Sequence, residues 1–491
     1  MKTRFSYLVA AAALVMITFG IWTLEQARSG VEITSQNIGS VPATTYRTTD
    51  ASGPLVVIVH GFSGSRKMMQ GFSLSLARAG YTAVAIDLPG HGDNLEPMSS
   101  NITEIEGATA QFMGTLRQVI DSLQKDADPN RPVALIGHSM ATDIIIRYAL
   151  TDPRISSLVA VSMYSDAVTD RAPANLLMIT GAYEPGLREA ALRTLRLVDP
   201  TANEDSILTS ADGVVRRGAL VAPGVEHVGV LYSPLTLRAT LDWLNAAFDR
   251  QSDTKVVRIG GAIAAVLIGV IMLFWPLTLR LPAQPVPSPS SGNPILAIWA
   301  PAVVTPLLLY PVQANFLPVL GVSYLVMHIG VYGVLMLALL WREGVRPVKF
   351  TLWPMLLLIV YALGIYGFFL DRYFTNFTPT GARIGYMGLI ALGAVPFMLG
   401  DCLLLKAYQR PFWFGIVSRI AFFASVIAAI AMKPDSLLML AFCLPVVVLF
   451  FLSYGLMARW LNARVQTPTA IGLAQGILLA FVLGIAFPII G

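Results

Sequence analysis

From residue 259 to residue 491 the chain is a succession of apolar runs, each about as long as a bilayer is thick. Eight can be marked, at about 259–279, 295–312, 317–341, 351–370, 385–405, 412–432, 436–457 and 470–490. A helix needs roughly 20 apolar residues to cross the hydrocarbon core. This stretch holds only 12 Lys+Arg and 4 Asp+Glu, a net of +8. Of the chain's 34 and 29, the remainder therefore holds 22 and 25, a net of −3. The overall 13% charged and 55% hydrophobic residues average two unlike parts. A soluble protein carries about 25% charge, which only the first part approaches. No Lys/Arg cluster of nucleic-acid type occurs, so no nucleic-acid partner is expected; the partner of the basic half is the lipid bilayer.

One more apolar run, from about Ser6 to Leu24, follows Lys2 and Arg4. It ends in Trp22-Thr23-Leu24-Glu25-Gln26-Ala27 without the small-residue site of a cleaved signal peptide. Residues 1–30 therefore read as a retained signal anchor. The loop charges predict the topology. With the N-terminus inside, Arg280, then Arg342, Arg346 and Lys349, then Lys406 and Arg410, then Arg459 and Arg464 face the cytoplasm. The outer loops after the third span hold only Arg372, Arg383 and Lys433. This positive-inside bias gives nine spans, with the C-terminus out and residues 31–253 outside. A bacterial inner membrane with that domain in the periplasm is the expected setting. Within the membrane half (254–491), Pro301, Pro306 and Pro311 are expected to kink the third span. Asp401 and Arg419 lie at similar depths in successive spans and are expected to pair, because lone charges in a bilayer are costly. His328 is expected to be a hydrogen-bonded packing residue. The only two cysteines, Cys402 and Cys443, fall in spans, so residues 31–253 need no disulfide.

Between the first and second spans, short β-like runs alternate with helical patterns. Val56–Val59, Ala83–Ile86, Val133–Ile136, Ser157–Val161 and Leu176–Ile179 read as buried strands. Met68–Arg78, Ala108–Leu123 and Met140–Leu150 read as helices. Such alternation predicts a mostly parallel sheet covered on both faces. The strongest motif is Gly137-His138-Ser139-Met140-Ala141. It follows a strand and precedes a helix, the context of a nucleophile elbow, with Ala141 where the common pattern has Gly. His60-Gly61-Phe62 follows the first long strand, where acyl transfer needs a second oxyanion donor. The N–H groups of Phe62 and Met140 are the expected donors. Asp87-Leu88-Pro89-Gly90-His91-Gly92 follows the next strand.

These motifs, in this order and spacing, resemble the α/β-hydrolase superfamily over residues 54–246. The resemblance implies an α/β hydrolase fold and a Ser, acid, His order along the chain. It assigns the acid to Glu184, three residues after Gly181, and the base to His227 in Gly224-Val225-Glu226-His227-Val228. The usual acid is Asp, so Asp166 and Asp199 stay open as rivals. Asp143 lies one turn beyond the serine and is expected to pack structurally. His60, Gly61 and His138 are expected to be structural or to line the pocket. The implied chemistry is a serine hydrolase working through an acyl-enzyme on a small-molecule or lipid ester. An acyltransferase with the same residues, or a transport or signalling protein with an idle outer domain, is the alternative. No metal and no cofactor are expected, since no H-E-x-x-H, Cys/His spacing or P-loop occurs. Only residues 163–176 separate the fourth and fifth strands, which leaves no room for a large lid. Leu95–Gly107 is the segment expected to overhang the pocket.

Overall fold

Five consecutive buried residues, Leu55–Val59, form the middle of a sheet in the computed structural model. The model describes residues 2–51, 53–125, 132–286, 288, 290, 292–348, 350–407 and 412–491. Lys349 and Arg410, counted above in the loop charges, lie outside these described residues. The chain divides into two units. One comprises Thr18–Val266 with Arg372–Asn376 and Ile490–Gly491; the other comprises Met1–Ile17, Leu267–Asp371 and Phe377–Ile489.

Among its described residues the first unit holds nine strands: β1 (Glu32–Ile38), β2 (Val41–Arg47), β3 (Leu55–Val59), β4 (Thr82–Ile86), β5 (Val133–His138), β6 (Ile155–Val161), β7 (Asn175–Gly181), β8 (Ser206–Thr209) and β9 (Arg216–Ala222). Their order across the sheet is β1-β2-β4-β3-β5-β6-β7-β9-β8. The six strands β4, β3, β5, β6, β7 and β9 run parallel, and β1, β2 and β8 pair antiparallel at the edges. Continuous apolar runs suit the interior because helices cover both faces there. The helices Gln70–Arg78, Ala110–Gln124, Met140–Ala149, Pro185–Leu195 and Pro234–Ala247 supply that cover. All five strands expected from the sequence are present. The edge strands β1 (EITSQNI) and β8 (SILT) were not expected; they are mostly exposed and lack an apolar stripe. No helix lies between β6 and β7 among the described residues, in line with the absence of a large lid.

The fold class expected from the sequence is the one observed: an α/β hydrolase sheet accompanied by a helical part. Among the described residues, eight helices are long and apolar enough to cross a membrane: Arg4–Arg28, Gly260–Thr278, Val322–Arg342, Leu352–Tyr373, Gly381–Lys406, Trp413–Met432, Pro434–Val465 and Pro468–Ala486. The expected span at 295–312 is corrected. Its helix covers only Ile295–Leu308, about 21 Å at 1.5 Å per residue, short of a roughly 30 Å core. Pro301 and Pro306 lie inside it, while Pro311 falls beyond its end.

Hydrogen bonds within the helical unit sort its loops into two sets. In one set, Arg464 donates to Leu281 O (2.6 Å) and Leu279 O (3.2 Å), and Thr469 Oγ1 donates to Val348 O (3.0 Å). In the other, Lys433 Nζ donates to Val312 O (3.4 Å), Leu320 N–H to Pro488 O (3.1 Å), and Arg383 to Gly484 O and Phe487 O (2.8 Å each). Helix Pro468–Ala486 joins the sets and is about 28 Å long. The chain from Arg280 to Val312 thus passes from one set to the other, with the short helix covering part of the way. Arg280, Arg346 and Arg464 gather in the first set. The expected Asp401–Arg419 pair forms at 2.9 Å, and His328 Nε2 lies 3.0 Å from Ser425 Oγ. Cys402 and Cys443 are buried and unpaired.

Candidate functional site

Ser139 sits at the junction of β5 and helix Met140–Ala149 with φ 52° and ψ −118°. A positive φ costs a side-chain-bearing residue energy, so the surroundings must hold it. They do: the Ser139 N–H donates to Val161 O (2.9 Å), and Thr142 donates to Ser139 O from N–H (2.9 Å) and Oγ1 (2.7 Å). Gly61 lets the neighbouring loop approach this turn. A Cβ there would lie 2.9 Å from His138 O and 3.0 Å from Ser139 Cβ. At Gly137, a Cβ would come within 2.8 Å of Ala141 O, and Ala141 itself is fully buried. The extra methyl of Ala141 is thus accommodated in the core.

Three distant segments converge on the serine. His227, in the loop after β9, places Nε2 2.8 Å from Ser139 Oγ. Its Nδ1 lies 2.5 Å from Glu184 Oε1. Glu184, in the turn after β7, accepts at its other oxygen from Gly181 N–H (2.6 Å) and Ser162 Oγ (2.8 Å). Burial alone would raise the Glu184 pKa; hydrogen bonds from His227, Gly181 and Ser162 outweigh it and hold the carboxyl below its ordinary value. The Glu184 side chain is 4% exposed and that of His227 43%. The acid is thus enclosed and the imidazole reachable.

The rivals to Glu184 point elsewhere. Asp166 is ion-paired with Arg147 and its side chain is 85% exposed. Asp199 accepts from Thr201 N–H (2.8 Å) and Oγ1 (2.7 Å). Asp143 packs against Arg147 Nε (2.7 Å) and Ser165 Oγ (2.6 Å).

The other histidines are fixed by carbonyls. His138 Nε2 donates to His227 O at 2.9 Å, steadying the loop that carries the imidazole. Burial, and then the neighbouring His227, push its pKa down to about 3, so it stays neutral. His60 Nε2 accepts the Leu88 N–H (3.1 Å), which leaves Nδ1 to donate to Gly61 O (2.8 Å). It is 1% exposed, so it joins β3 to the loop after β4. Phe62 and Met140 are half-buried beside the elbow. Met140 opens its helix, where N–H groups have no acceptor within the helix.

Sequence reasoning missed two supports. Ser162 follows β6 directly and belongs to no motif, yet it is one of three donors to Glu184. Arg66 is the other. Its backbone N–H donates to Asp87 Oδ1 (2.7 Å), and its guanidinium binds Asp87, Asp93 (2.8 Å) and Thr44 (3.0 Å). The charge complementarity of a basic residue after the His60–Ser65 loop and the Asp of the next strand end was the available signal.

Residues 54–201 match the family model of the alpha/beta hydrolase fold. Among solved structures, the chain is similar to the TT1662 protein of Thermus thermophilus (18% identity, TM-score 0.34, covering 45% of this chain and 99% of that one). It is similar too to a membrane phospholipase A described as a bacterial virulence factor (17%, 0.33, 50% and 99%). A third is a soluble variant of monoglyceride lipase from Saccharomyces cerevisiae (12%, 0.32, 45% and 96%). No curated protein matches the chain. The motif order, the sheet and the match over residues 54–201 together show an α/β-hydrolase fold in this chain, fused to a helical part with membrane-spanning character.

Proposed function

We propose that the protein is a membrane-anchored serine hydrolase that cleaves carboxylic esters. The observation that carries this reading is the relay from Ser139 Oγ through His227 (2.8 Å) to the enclosed Glu184 (2.5 Å). Ser139 Oγ attacks the acyl carbon while His227 Nε2 takes its proton. Glu184 holds the Nδ1 proton in place and stabilises the imidazolium. The N–H groups of Phe62 and Met140 bind the developing oxyanion. The intermediate collapses to an acyl-enzyme as His227 protonates the departing alcohol. Water, deprotonated by the same imidazole, then releases the acid and restores Ser139.

The absence of a helical lid between β6 and β7 favours a bulky or lipid-associated ester. The basic residues gathered at one set of loops favour that set as the cytoplasmic one. Helices Arg4–Arg28 and Gly260–Thr278 then lead into and out of the hydrolase domain on the opposite, non-cytoplasmic side.

The test is a fluorophosphonate probe on the full chain in detergent, followed by an ester library graded by acyl length. Labelling at Ser139 is expected, with Ser139→Ala abolishing it and lowering kcat by about 10⁶. A folded wild-type chain that neither labels nor hydrolyses any ester overturns the proposal.

A further inference from the structure

Five residues far along the chain belong to the hydrolase unit. Arg372–Asn376 comprise the last two residues of the apolar helix Leu352–Tyr373 and the first three of the loop that leads to the helix Gly381–Ala407, yet they pack with Thr18–Val266. Their contacts meet two segments that border the candidate site. The first is the base of the turn that presents Phe62. Gly64 N–H closes that turn on Gly61 O at 3.0 Å, leaving Phe62 and Ser63 at its tip. Ser65, the next residue, is 1% exposed. Its Oγ accepts the Asn376 N–H at 3.1 Å and lies 3.3 Å from Thr375 Oγ1. One turn on, Gln70 is 3% exposed and donates to Tyr373 O at 2.7 Å, and Lys67 Nζ reaches Asn376 Oδ1 at 3.4 Å.

The second segment is the short helix Gly229–Tyr232, which begins two residues after His227. The Tyr232 ring stacks on Phe374, with centroids 6.4 Å apart and planes at 28°. The five residues are themselves held. Glu25 Oε1 accepts from Arg372 (2.7 and 3.1 Å) and from Tyr373 Oη (2.6 Å).

Hydrogen bonds to buried partners are costly to leave unmade. The Phe62 turn is thus gripped from two sides, by Asp87 through Arg66 and by Tyr373–Asn376 through Ser65 and Gln70. We propose that Arg372–Asn376 is a positioning element, which sets the Phe62 N–H against the Ser139–His227 pair from a loop contributed by the helical half. It touches neither substrate nor reacting atoms and acts through Ser65 and Tyr232. The hydrolase site is then incomplete without residues at and just beyond the end of the fourth of the eight apolar helices along the chain. This deepens the proposed function and rests on it.

The test uses the full chain in detergent with a soluble ester, comparing Ser65→Ala, Ser65→Thr and the double variant Ser65→Ala/Phe374→Ala. Displacing an oxyanion donor costs less than deleting one, for which 10²–10³ is typical. Ser65→Ala is expected to lower kcat about ten-fold and the double variant about a hundred-fold. KM should stay within about two-fold and the midpoint of the pH–rate profile should not move, because His227 and Glu184 keep their contacts. Ser65→Thr, which keeps the hydroxyl, should retain most of the activity. Wild-type kcat in the double variant overturns the positioning role. So does a loss that only follows the folded fraction in a melt, or a Thr variant no better than Ala. A wild-type chain without Ser139 labelling overturns the parent reading instead, and this one with it.

Discussion

The two units bury polar side chains in opposite ways. At the hydrolase site they converge: Glu184 takes three hydrogen bonds, Asp87 is bound by Arg66 and by the Asp93 N–H (2.9 Å), and each fixes a loop beside Ser139. In the helical unit they are dispersed in pairs. Asp401 holds Arg419, His328 meets Ser425, and Cys402 Sγ lies 3.3 Å from Gln475 Oε1. The His328 Nδ1 and the hydroxyls of Thr305 and Tyr454 are buried with no partner among the described residues. Convergence is what chemistry requires, since a reacting atom must be met from several directions at once. Dispersed pairs are what helix packing requires, each neutralising one buried group. The comparison breaks if changes at the dispersed pairs act on turnover, or if changes at the converging residues act only on stability.

After the nucleophile itself, the largest effect is expected at the converging acid. Glu184→Gln keeps the shape and the Gly181 contact but presents an amide donor to His227 Nδ1. The imidazole would then hold its proton on Nε2 and could not accept one from Ser139. A drop of roughly 10³–10⁴ in kcat is expected with little change in the melt, measured by steady-state hydrolysis of the best library ester. Near-wild-type turnover would remove Glu184 from the relay.

Asp401→Ala should do the reverse. It leaves the Arg419 guanidinium without its carboxylate, a loss of about 3 kcal/mol by analogy with broken buried pairs. Thermal unfolding of the full chain in detergent reads this, while kcat per folded molecule stays constant. Asp401→Ala/Arg419→Leu should recover much of the loss, because no unpaired charge remains. A collapse of kcat at an unchanged melting temperature would give this pair a part in the chemistry.

The pH dependence sharpens the comparison further. Burial pushes the folded His138 pKa down to about 3, whereas in the unfolded chain the imidazole keeps the ordinary histidine value of about 6.5. Between those values the unfolded state binds more protons, so stability falls as pH falls and is level above 6.5. The lowered Glu184 pKa acts in the same direction, below the ordinary glutamate range. His138→Gln keeps a donor for His227 O and does not titrate. It should remove about 2 kcal/mol of the acid-induced loss at pH 5, seen as a flatter plot of melting temperature against pH. An unchanged slope would mean that His138 is not held neutral.

What could be read from the sequence follows the same division. The parallel strands were visible because they are buried on both faces and so uniformly apolar. Ser139 stood out because it follows a strand end within a short pattern, whereas Glu184 and His227 were implied by the resemblance to the α/β-hydrolase superfamily. The spans were visible from length and charge alone. Strands β1 and β8 were hidden because edge strands need no apolar stripe. Ser162 and Arg66 were hidden because their partners lie 22 and 21 residues away and no motif links them. The segment Arg372–Asn376 was hidden most fully: nothing local marks the end of an apolar helix and the three residues after it as part of another unit. The short helix Ile295–Leu308 was read too long because apolar content continues past Leu308 while Pro311 forbids the helix.

The smallest expected effect is at Asp166, and it decides which carboxylate the site uses. Asp166 follows β6 as Glu184 follows β7, so position in the sheet alone does not separate them. Their surroundings do. Asp166 is 85% exposed and bound to Arg147, whose side chain is 18% exposed and which also holds Asp143. An exposed ion pair of this kind contributes about 0–1 kcal/mol. Asp166→Asn should therefore leave kcat within about two-fold and move the melting temperature only slightly, and Asp199→Asn should behave the same way. A loss at Asp166 matching that at Glu184→Gln would mean that the loop after β6 reaches His227 during turnover, and that the enclosed carboxylate serves the fold of the loop instead of the relay.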